Sequence, residues 1–358
     1  MKRKASNQTL APAKSDTSRV SVRDVAAAAG TSIASVSRVL NKSGYASTAL
    51  RERVTRAINS TGYTPNFAAK HLRTGRSRAV GVMVSNLANP FLSAFVSEVE
   101  RRLQIAGFSV LVASTYEIPS KEEALLTLFE SRQMEGVIAA PSVEGLPRKR
   151  NPFARCKLPL VIVDRDVDCD ADFVVQDHRN GVRQAMEYLA ALGHRRIALF
   201  GPSAAIRPGR EKLLGYRDGL EACGLDFDPA LVCMLQSAVD SPEHQMMEML
   251  RLTRPPTALI GLGTRILSGA LRSARKSGIQ IPRDLSVVGI GTNDAFALMY
   301  PPMTTLHFNI DQVAQVTANL MLERLGAVTN IPSRTITVPL ALVIGESCAA
   351  PTAPPMDS

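Results

Sequence analysis

A short segment near the amino terminus carries residue types that can read the edges of DNA bases. Ser32 can cap a helix that begins at Ile33, and Val36 then lies on the apolar face of that helix. Ile33, Ala34 and Arg38 are left on a second face. An arginine can donate hydrogen bonds to O6 and N7 of one guanine together, whereas isoleucine and alanine offer only apolar contact, for instance to a thymine methyl group. We therefore expect Arg38 to supply most of the hydrogen-bonded discrimination.

The flanking patterns predict two further helices that would hold this segment in place. Ser21 and Asp24 have the spacing of a capping box, and Gly30 can end the first helix in the left-handed conformation. A third helix is predicted from Thr48 to Thr61. Two short helices around a glycine turn are typical of a helix-turn-helix, whose second helix lies in the major groove. The sequence thus predicts an all-α headpiece over residues 20–65.

Positive charge is concentrated at the same end of the chain. The 358 residues include 42 Lys+Arg and 32 Asp+Glu, which gives a net charge of +10. Between Met1 and Arg78 there are 15 basic and 3 acidic residues, so this part carries +12 and the remainder −2. Such a block can be a solvated tail or a nucleic-acid-binding surface, and the helix-turn-helix pattern favours the second. Residues 1–19 have no hydrophobic period and are expected to be a disordered tail.

A basic segment at residues 66–78 follows the headpiece. Asn66 can cap and Gly75 can stop a helix of about two turns. Helices shorter than roughly 12 residues are marginal in water, so this one would need partners to be ordered. The segment is therefore either a plain linker or a hinge helix.

Residues 79–348 alternate short β-rich runs with helical runs. This order predicts parallel sheets with helices on both faces and ligands at the carboxyl ends of the strands. One series runs from Val80 to Ala140 and another starts near Val174, which predicts two α/β lobes that follow one another. The helical run from Asp311 to Leu325 either contributes to packing between lobes or subunits or is simply buried in a core. Residues 349–358 are Pro-rich and expected to be a disordered tail.

Other classes of protein find little support in the sequence. The five cysteines form no C-x-x-C pair, and no signal-peptide h-region or long apolar run is present, so we expect a cytoplasmic protein with reduced thiols and no membrane partner. Gly261-Leu-Gly263 and Gly289-Ile-Gly291 do not complete G-x-G-x-x-G, which argues against a dinucleotide enzyme. No H-E-x-x-H motif occurs. We expect no enzymatic activity, no cofactor and no metal.

Taken in order, these motifs resemble the LacI/GalR family of bacterial transcription regulators from Val20 to about Cys348. The headpiece match is Val-Arg-Asp-Val-Ala-Ala-Ala-Ala-Gly30 followed by Ser-Val-Ser-Arg-Val-Leu-Asn41. The hinge match is Gly62-Tyr-Thr-Pro-Asn66 with Ala-Lys-His-Leu-Arg-Thr-Gly75. Markers in the core are Asn89-Pro-Phe91, Val163-Asp-Arg165, Leu192-Gly-His-Arg-Arg-Ile197, Gly215-Tyr-Arg-Asp-Gly-Leu220 and Pro301-Pro-Met-Thr-Thr305.

The resemblance implies a homodimer whose headpieces bind a pseudo-palindromic operator in double-stranded DNA, more often as a repressor than as an activator. Hinge helices would join the headpieces to a core that resembles periplasmic sugar-binding proteins and binds a small effector. A DNA-independent sugar-binding sensor would share such a core but would lack the headpiece.

The resemblance also assigns roles within the DNA-binding part. Leu72 either packs against the headpiece or enters a base step in the minor groove as a wedge, and the family pattern favours the wedge. Side chains that fall at phosphate-contact positions fix the register without reading sequence. They are Ser37, Asn41, Tyr45 and Ser47. Asn66 and Arg73 of the hinge are also predicted to bind DNA.

Around the effector cleft, several positions depart from the family pattern. Gly263-Thr264 stand where many sugar-binding members have Asn-Asp, Asn293 stands where an aspartate is usual, and Lys212 replaces a frequent arginine. Fewer carboxylates beside Arg165 and Lys212 make the pocket more tolerant of an anion, which favours a sugar acid over a neutral sugar, although Lys212 can equally point to solvent. The predicted effector residues are Phe91, Ala139, Asp164, Arg165, Gln176, Lys212, Gly263, Thr264 and Asn293.

Overall fold

The chain forms two compact units, Met1–Gly75 and Arg76–Ser358. The computed structural model describes residues 20–41, 44–64, 76–236, 241–291, 299–327 and 331–352. The first unit is all-α and the second is α/β, which confirms the predicted fold class. The boundary between the units falls inside the segment that the sequence marks as a linker or hinge.

The first unit is the predicted three-helix headpiece. Its helices are α1 (Val22–Ala28), α2 (Ile33–Leu40) and α3 (Thr48–Thr61). The backbone N–H of Ser21 donates to Oδ2 of Asp24 at 2.8 Å, so the acidic half of the capping box is formed. All three helices contribute to one small core, whose buried members are Val25, Ala26, Ala29, Val36, Val54 and Ala57.

The second unit contains two six-stranded sheets, which define lobe 1 and lobe 2. In lobe 1 the strand order is β11-β5-β4-β3-β1-β2 and every pairing is parallel. Its strands are β1 (Ala79–Val84), β2 (Ser109–Ser114), β3 (Gly136–Ala139), β4 (Leu160–Val163), β5 (Asp172–Gln176) and β11 (Thr335–Val338). Its helices are α4 (Pro90–Ile105), α5 (Pro119–Ser131), α6 (Pro152–Arg155) and α11 (Ile310–Gly326).

Lobe 2 repeats this plan with one antiparallel edge. Its strand order is β12-β10-β9-β8-β6-β7, and only the β10–β12 pair is antiparallel among the described pairings. Its strands are β6 (Ile197–Gly201), β7 (Val232–Met234), β8 (Ala258–Gly261), β9 (Ser286–Gly291), β10 (Thr304–His307) and β12 (Ala341–Val343). Its helices are α7 (His178–Ala191), α8 (Arg207–Ala222), α9 (Glu243–Leu250) and α10 (Thr264–Lys276).

Several inner strands of both lobes are continuous apolar runs, as is typical of parallel sheets that helices cover on both faces. Every residue of β4, Leu-Val-Ile-Val, is buried, and so is every residue of β6. The alternation of these runs with helical segments was enough to predict parallel sheets, and this prediction is confirmed.

The prediction that the lobes simply follow one another is wrong, because the lobes are interleaved. The chain leaves lobe 1 after β5, returns to it for α11 and β11, and enters lobe 2 again for β12. Helix α11 packs in the core of lobe 1, where Val313, Ala318 and Met321 are buried. A helix cannot show in its own sequence which of two sheets it will cover.

The expectation of a disordered tail from residue 349 is also wrong at its start. The carbonyl of Ala349 accepts hydrogen bonds from Ser286 Oγ at 3.0 Å and His194 Nε2 at 2.9 Å. His194 also lies 2.9 Å from Oγ1 of Thr257 through its other ring nitrogen. This buried histidine anchors the carboxyl-terminal segment to lobe 2, so order extends past residue 348.

Among the residues that the structure describes, no helix combines the length and the apolar character needed to cross a bilayer.

Candidate functional site

Helix α2 presents the face that the sequence predicts for base contact. Ser32 Oγ accepts the N–H of Ser35 at 3.1 Å and so caps the helix, while Val36 is fully buried against α1 and α3. Ile33 is 47% exposed, and Ala34 and Arg38, on the side of the helix away from Val36, are also exposed. An exposed isoleucine at the start of a capped helix and an exposed arginine in its last turn suit contact with another molecule.

The predicted phosphate-contact residues lie at the end of α2 and at the start of α3. The Asn41 side-chain amide donates to the carbonyl of Ser37 at 2.8 Å, which fixes its orientation. Tyr45 is 86% exposed. Ser47 Oγ accepts the N–H of Leu50 at 3.3 Å and caps α3, yet its hydroxyl hydrogen can still be donated. Their contact with phosphate stays a prediction.

Four residues singled out by the sequence lie outside the described residues. They are Asn66, Leu72 and Arg73 of the hinge segment and Asn293 of the effector set.

In the second unit, the predicted effector residues of lobe 1 lie at the carboxyl ends of adjacent parallel strands. Ala139 ends β3, Asp164 and Arg165 follow β4, and Gln176 ends β5. Carboxyl ends of parallel strands meet at one edge of a sheet, which is where α/β proteins bind ligands. The side chain of Ala139 packs in the core of lobe 1, so only its strand end is available to a ligand.

Asp164 is the centre of this group. Its backbone has φ of +55°, a conformation that non-glycine residues hold only when their surroundings impose it. Its carboxylate accepts the backbone N–H of Gln176 at 3.3 Å and lies 2.8 Å from Nε2 of His178. Arg165 donates from Nε to the carbonyl of Pro141 at 2.6 Å, which directs its guanidinium along the strand ends.

Lobe 2 adds a buried cation to the group. Lys212, from α8, is only 5% exposed, so the alternative that it points to solvent is wrong. Burial, which is the largest cause, and the charge of Arg165 together lower the pKa of its ammonium to about 8, although the charge of Asp164 opposes both effects. Within the described parts of the chain, no ion pair or hydrogen bond satisfies this ammonium.

The charge state of the acid follows from its neighbours. Burial by itself would raise the pKa of Asp164, but His178, Arg165 and Lys212 outweigh burial and hold it at about 2. Burial lowers the pKa of His178, so we assign a neutral imidazole that donates from Nε2 to an ionised carboxylate. The cleft therefore offers a carboxylate that accepts hydrogen bonds and a cation that donates them.

Sequence reasoning missed two residues of this site, His178 and Phe308. The ring centroids of Phe308 and Phe91 are 4.7 Å apart, and the edge of His178 meets Phe308 at 6.1 Å. These contacts build an aromatic wall beside Asp164. Phe91 and Phe308 belong to opposite lobes and are far apart in the chain, so no local pattern could pair them. His178 directly follows Gln176-Asp177 and could have been noticed from that position.

Gly263 and Thr264 are not brought into contact with the Asp164 group by any described interaction. Gly263 caps α10 with φ of +144°, and Thr264 is exposed. Their contact with an effector stays a prediction.

Comparison with known proteins agrees with both units. The family described as "Bacterial regulatory proteins, lacI family" matches residues 21–66, and a periplasmic binding protein-like domain matches residues 186–348. The transcriptional regulator CelR of Thermobifida fusca is 32% identical over 329 residues, which cover 89% of this chain and 95% of CelR. The regulator DegA of Bacillus subtilis is 28% identical over 80% of this chain and 86% of its own.

Solved structures show the same likeness. A lac repressor dimer bound to operator and the anti-inducer ONPF has a TM-score of 0.80 at 25% identity, covering 92% of this chain and 99% of that chain. A complex of CelR with cellobiose has a TM-score of 0.68 at 30% identity and covers 92% of this chain.

A helix-turn-helix unit joined to a two-lobed, periplasmic-binding-protein-like core defines the class of bacterial DNA-binding regulators that carry their own ligand-binding domain. Within that class, this chain belongs to the LacI family of bacterial regulatory proteins. It is a transcriptional regulator of that family.

Proposed function

We propose that this protein is a homodimeric repressor that binds a pseudo-palindromic DNA operator and is controlled by a sugar acid in the cleft between lobes 1 and 2. It acts by binding and carries out no reaction. The homodimer is proposed from the lac repressor, whose structure is that of a dimer on its operator.

The exposed face of α2 carries the DNA-binding part of the proposal. Ile33 and Arg38 are exposed on a helix whose opposite side is locked into a core by Val36. A rigid helix can place side chains in the major groove at fixed positions, and a bidentate arginine–guanine pair contributes about 1 to 3 kcal/mol of discrimination.

For the hinge, the proposal rests on sequence. Leu72 is an apolar residue in a segment that also contains Lys70, Arg73 and Arg76. A leucine wedge unstacks a base step at an expense of about a few kcal/mol, which the bent DNA recovers through added contacts to basic side chains. Leu72→Ala is expected to retain the fold and to weaken operator binding strongly. Unchanged affinity in a binding titration would refute the wedge.

The unsatisfied ammonium of Lys212 carries the effector part. A buried cation without an acceptor is unfavourable, and a carboxylate on the ligand would satisfy it. In the same cleft, ionised Asp164 needs hydrogen-bond donors, which sugar hydroxyls provide. One ligand that meets both demands is a carbohydrate that bears a carboxylate, such as an aldonate or a keto-acid sugar. The sugar part is supported by CelR, a relative whose structure contains cellobiose.

Thermal-shift screening tests the effector class directly. We expect aldonates and sugar keto acids to raise the melting temperature of the full chain and neutral sugars of equal size to leave it unchanged. Stabilisation by neutral sugars alone would contradict the sugar-acid proposal.

DNA binding is then tested by gel shift with the promoter that adjoins the protein's own gene, with and without the stabilising compound. We expect a complex whose affinity falls steeply as salt rises, because each phosphate contact releases counterions. A protein that binds no genomic fragment at low ionic strength would instead be a DNA-independent sensor.

A further inference from the structure

Four charged side chains join the two lobes beside the cleft. Arg207 and Arg210 lie in the first turn of α8, in lobe 2. Glu144 and Asp166 lie in the loops that follow β3 and β4, in lobe 1. Arg207 reaches Asp166 at 3.0 Å, and Arg210 reaches both Asp166 at 2.6 Å and Glu144 at 3.1 Å. We call these four residues the interlobe clasp.

A backbone contact strengthens the clasp. The N–H of Arg207 donates to Oε1 of Glu144 at 2.8 Å, and the side chain of Glu144 is only 4% exposed. The two carboxylates together thus accept hydrogen bonds from two guanidinium groups and from one N–H at the start of a helix. Partly buried, shared ion pairs of this kind are less screened than isolated surface pairs.

The position of the clasp connects it to the cleft. Asp166 follows Asp164 and Arg165 by one or two residues, and Lys212 lies less than two turns along α8 from Arg207 and Arg210. The clasp borders a groove of about 470 Å³ lined in part by Asp166 and Arg207. That groove includes none of the predicted effector residues that are described. Two residues of the clasp therefore line the groove, and the clasp is close in the chain to cleft residues of both lobes.

We propose that the interlobe clasp stabilises the arrangement in which lobes 1 and 2 are closed over the cleft and thereby limits ligand entry. The lobes are otherwise connected by chain crossings after β5, after β10 and after β11, and each crossing leaves rotation possible at backbone dihedrals. The ion pairs of the clasp lie away from these crossings and can form only when the two lobes are close together. They therefore stabilise the closed arrangement and not an open one. The closed arrangement of the lobes involves only residues of the core. That it limits ligand entry rests on the proposed function, in which the cleft binds an effector.

Hydrogen exchange measured by mass spectrometry on the full chain tests this without DNA or effector. The amide of Arg207 is a direct reporter, because its acceptor belongs to the other lobe. In Asp166→Asn both arginines lose their shared carboxylate. We expect the peptide that contains Arg207 to exchange about tenfold faster than in the wild type, since lobe opening becomes more frequent.

Asp168→Asn is the matched control. Asp168 is two residues away and pairs with Arg148 at 2.7 Å within lobe 1, where both side chains are exposed. Its loss should leave exchange at Arg207 unchanged. Raising NaCl from about 0.05 to about 0.5 M should accelerate the wild type more than Asp166→Asn.

Equal exchange at Arg207 in wild type and Asp166→Asn would overturn the clasp. Equal acceleration by Asp166→Asn and Asp168→Asn would overturn it as well. Exchange at Ile197–Gly201, the fully buried strand β6, is read in the same experiment, and faster exchange there would mean general loosening of lobe 2 and would also count against the clasp. Because no DNA is present, failure here is distinguishable from failure of operator binding.

Discussion

In the interlobe cleft, Nε2 of His178 donates to Oδ2 of Asp164 across 2.8 Å, and both side chains are buried. The bond requires the Nε2–H tautomer, since the carboxylate is ionised. It leaves Nδ1 of His178 as a buried acceptor with no hydrogen-bond partner in the described part of the chain. The site thus contains a neutral histidine next to an ionised aspartate.

Acid should destabilise the core through this histidine. Burial lowers the pKa of His178 below its usual value of 6.5. Below about pH 6.5 this histidine is therefore protonated in the unfolded chain but stays neutral in the folded chain. The free energy of unfolding is therefore expected to fall as the pH drops from about 7 to about 5, as measured by urea titration.

His178→Gln is the control for that measurement, because glutamine keeps a donor but cannot titrate. Its pH dependence should be shallower than that of the wild type. Some dependence should remain, since burial also lowers the pKa of His194. Superimposable pH profiles for wild type and His178→Gln would show that His178 does not titrate in this range.

Arg38 should determine sequence preference more than overall affinity. Arg38→Ala is expected to weaken binding to the specific operator by about 1 to 3 kcal/mol, because a bidentate contact to guanine is lost. Binding to random DNA should change much less. Fluorescence anisotropy with both DNAs at one salt concentration measures the ratio.

Arg56→Ala is a control of equal charge, since Arg56 is exposed on α3 rather than on α2. It should change both affinities by similar factors. If Arg38→Ala also lowers both equally, Arg38 contacts phosphate and not a base.

Lys212 should lower stability in the absence of effector. Burial is the main reason that its pKa falls from 10.5 to about 8, so the ammonium, which is still mostly charged at pH 7, is less stable in the folded core than in the unfolded chain. Lys212→Met is expected to raise the free energy of unfolding by up to about 3 kcal/mol and to abolish stabilisation by the effector.

Lys276→Met is the control, at a lysine that is 69% exposed, and should change the free energy of unfolding by less than about 0.5 kcal/mol. A destabilised Lys212→Met that still binds effector would contradict the role of Lys212.

The sequence predicts local features of this fold much better than long-range ones. The headpiece helices were predictable because their caps and apolar faces lie within a few residues of each other. Asp164 and Lys212 were found through family positions. The return of α11 to lobe 1 and the Phe91–Phe308 contact depend on pairings between distant segments, which no local pattern encodes. Strand β4 was missed although its continuous apolar run is typical of a buried parallel strand.

Helix packing in lobe 2 gives a last prediction, at Gly215. A Cβ at this position would lie 2.2 Å from the backbone oxygen of Arg179 in α7, and backbone cannot move aside as a side chain can. Gly215→Ala should therefore push α8 away from α7 and lower the free energy of unfolding by about 1 to 3 kcal/mol.

Gly326, at the end of α11, is the control, because a Cβ built there has nothing within 4 Å. Gly326→Ala should be neutral or stabilising by up to about 1 kcal/mol. Since α8 also carries Lys212, the displacement should weaken effector binding in Gly215→Ala but not in Gly326→Ala. Equal stability of the two variants in urea would mean that the α7–α8 contact relaxes without penalty.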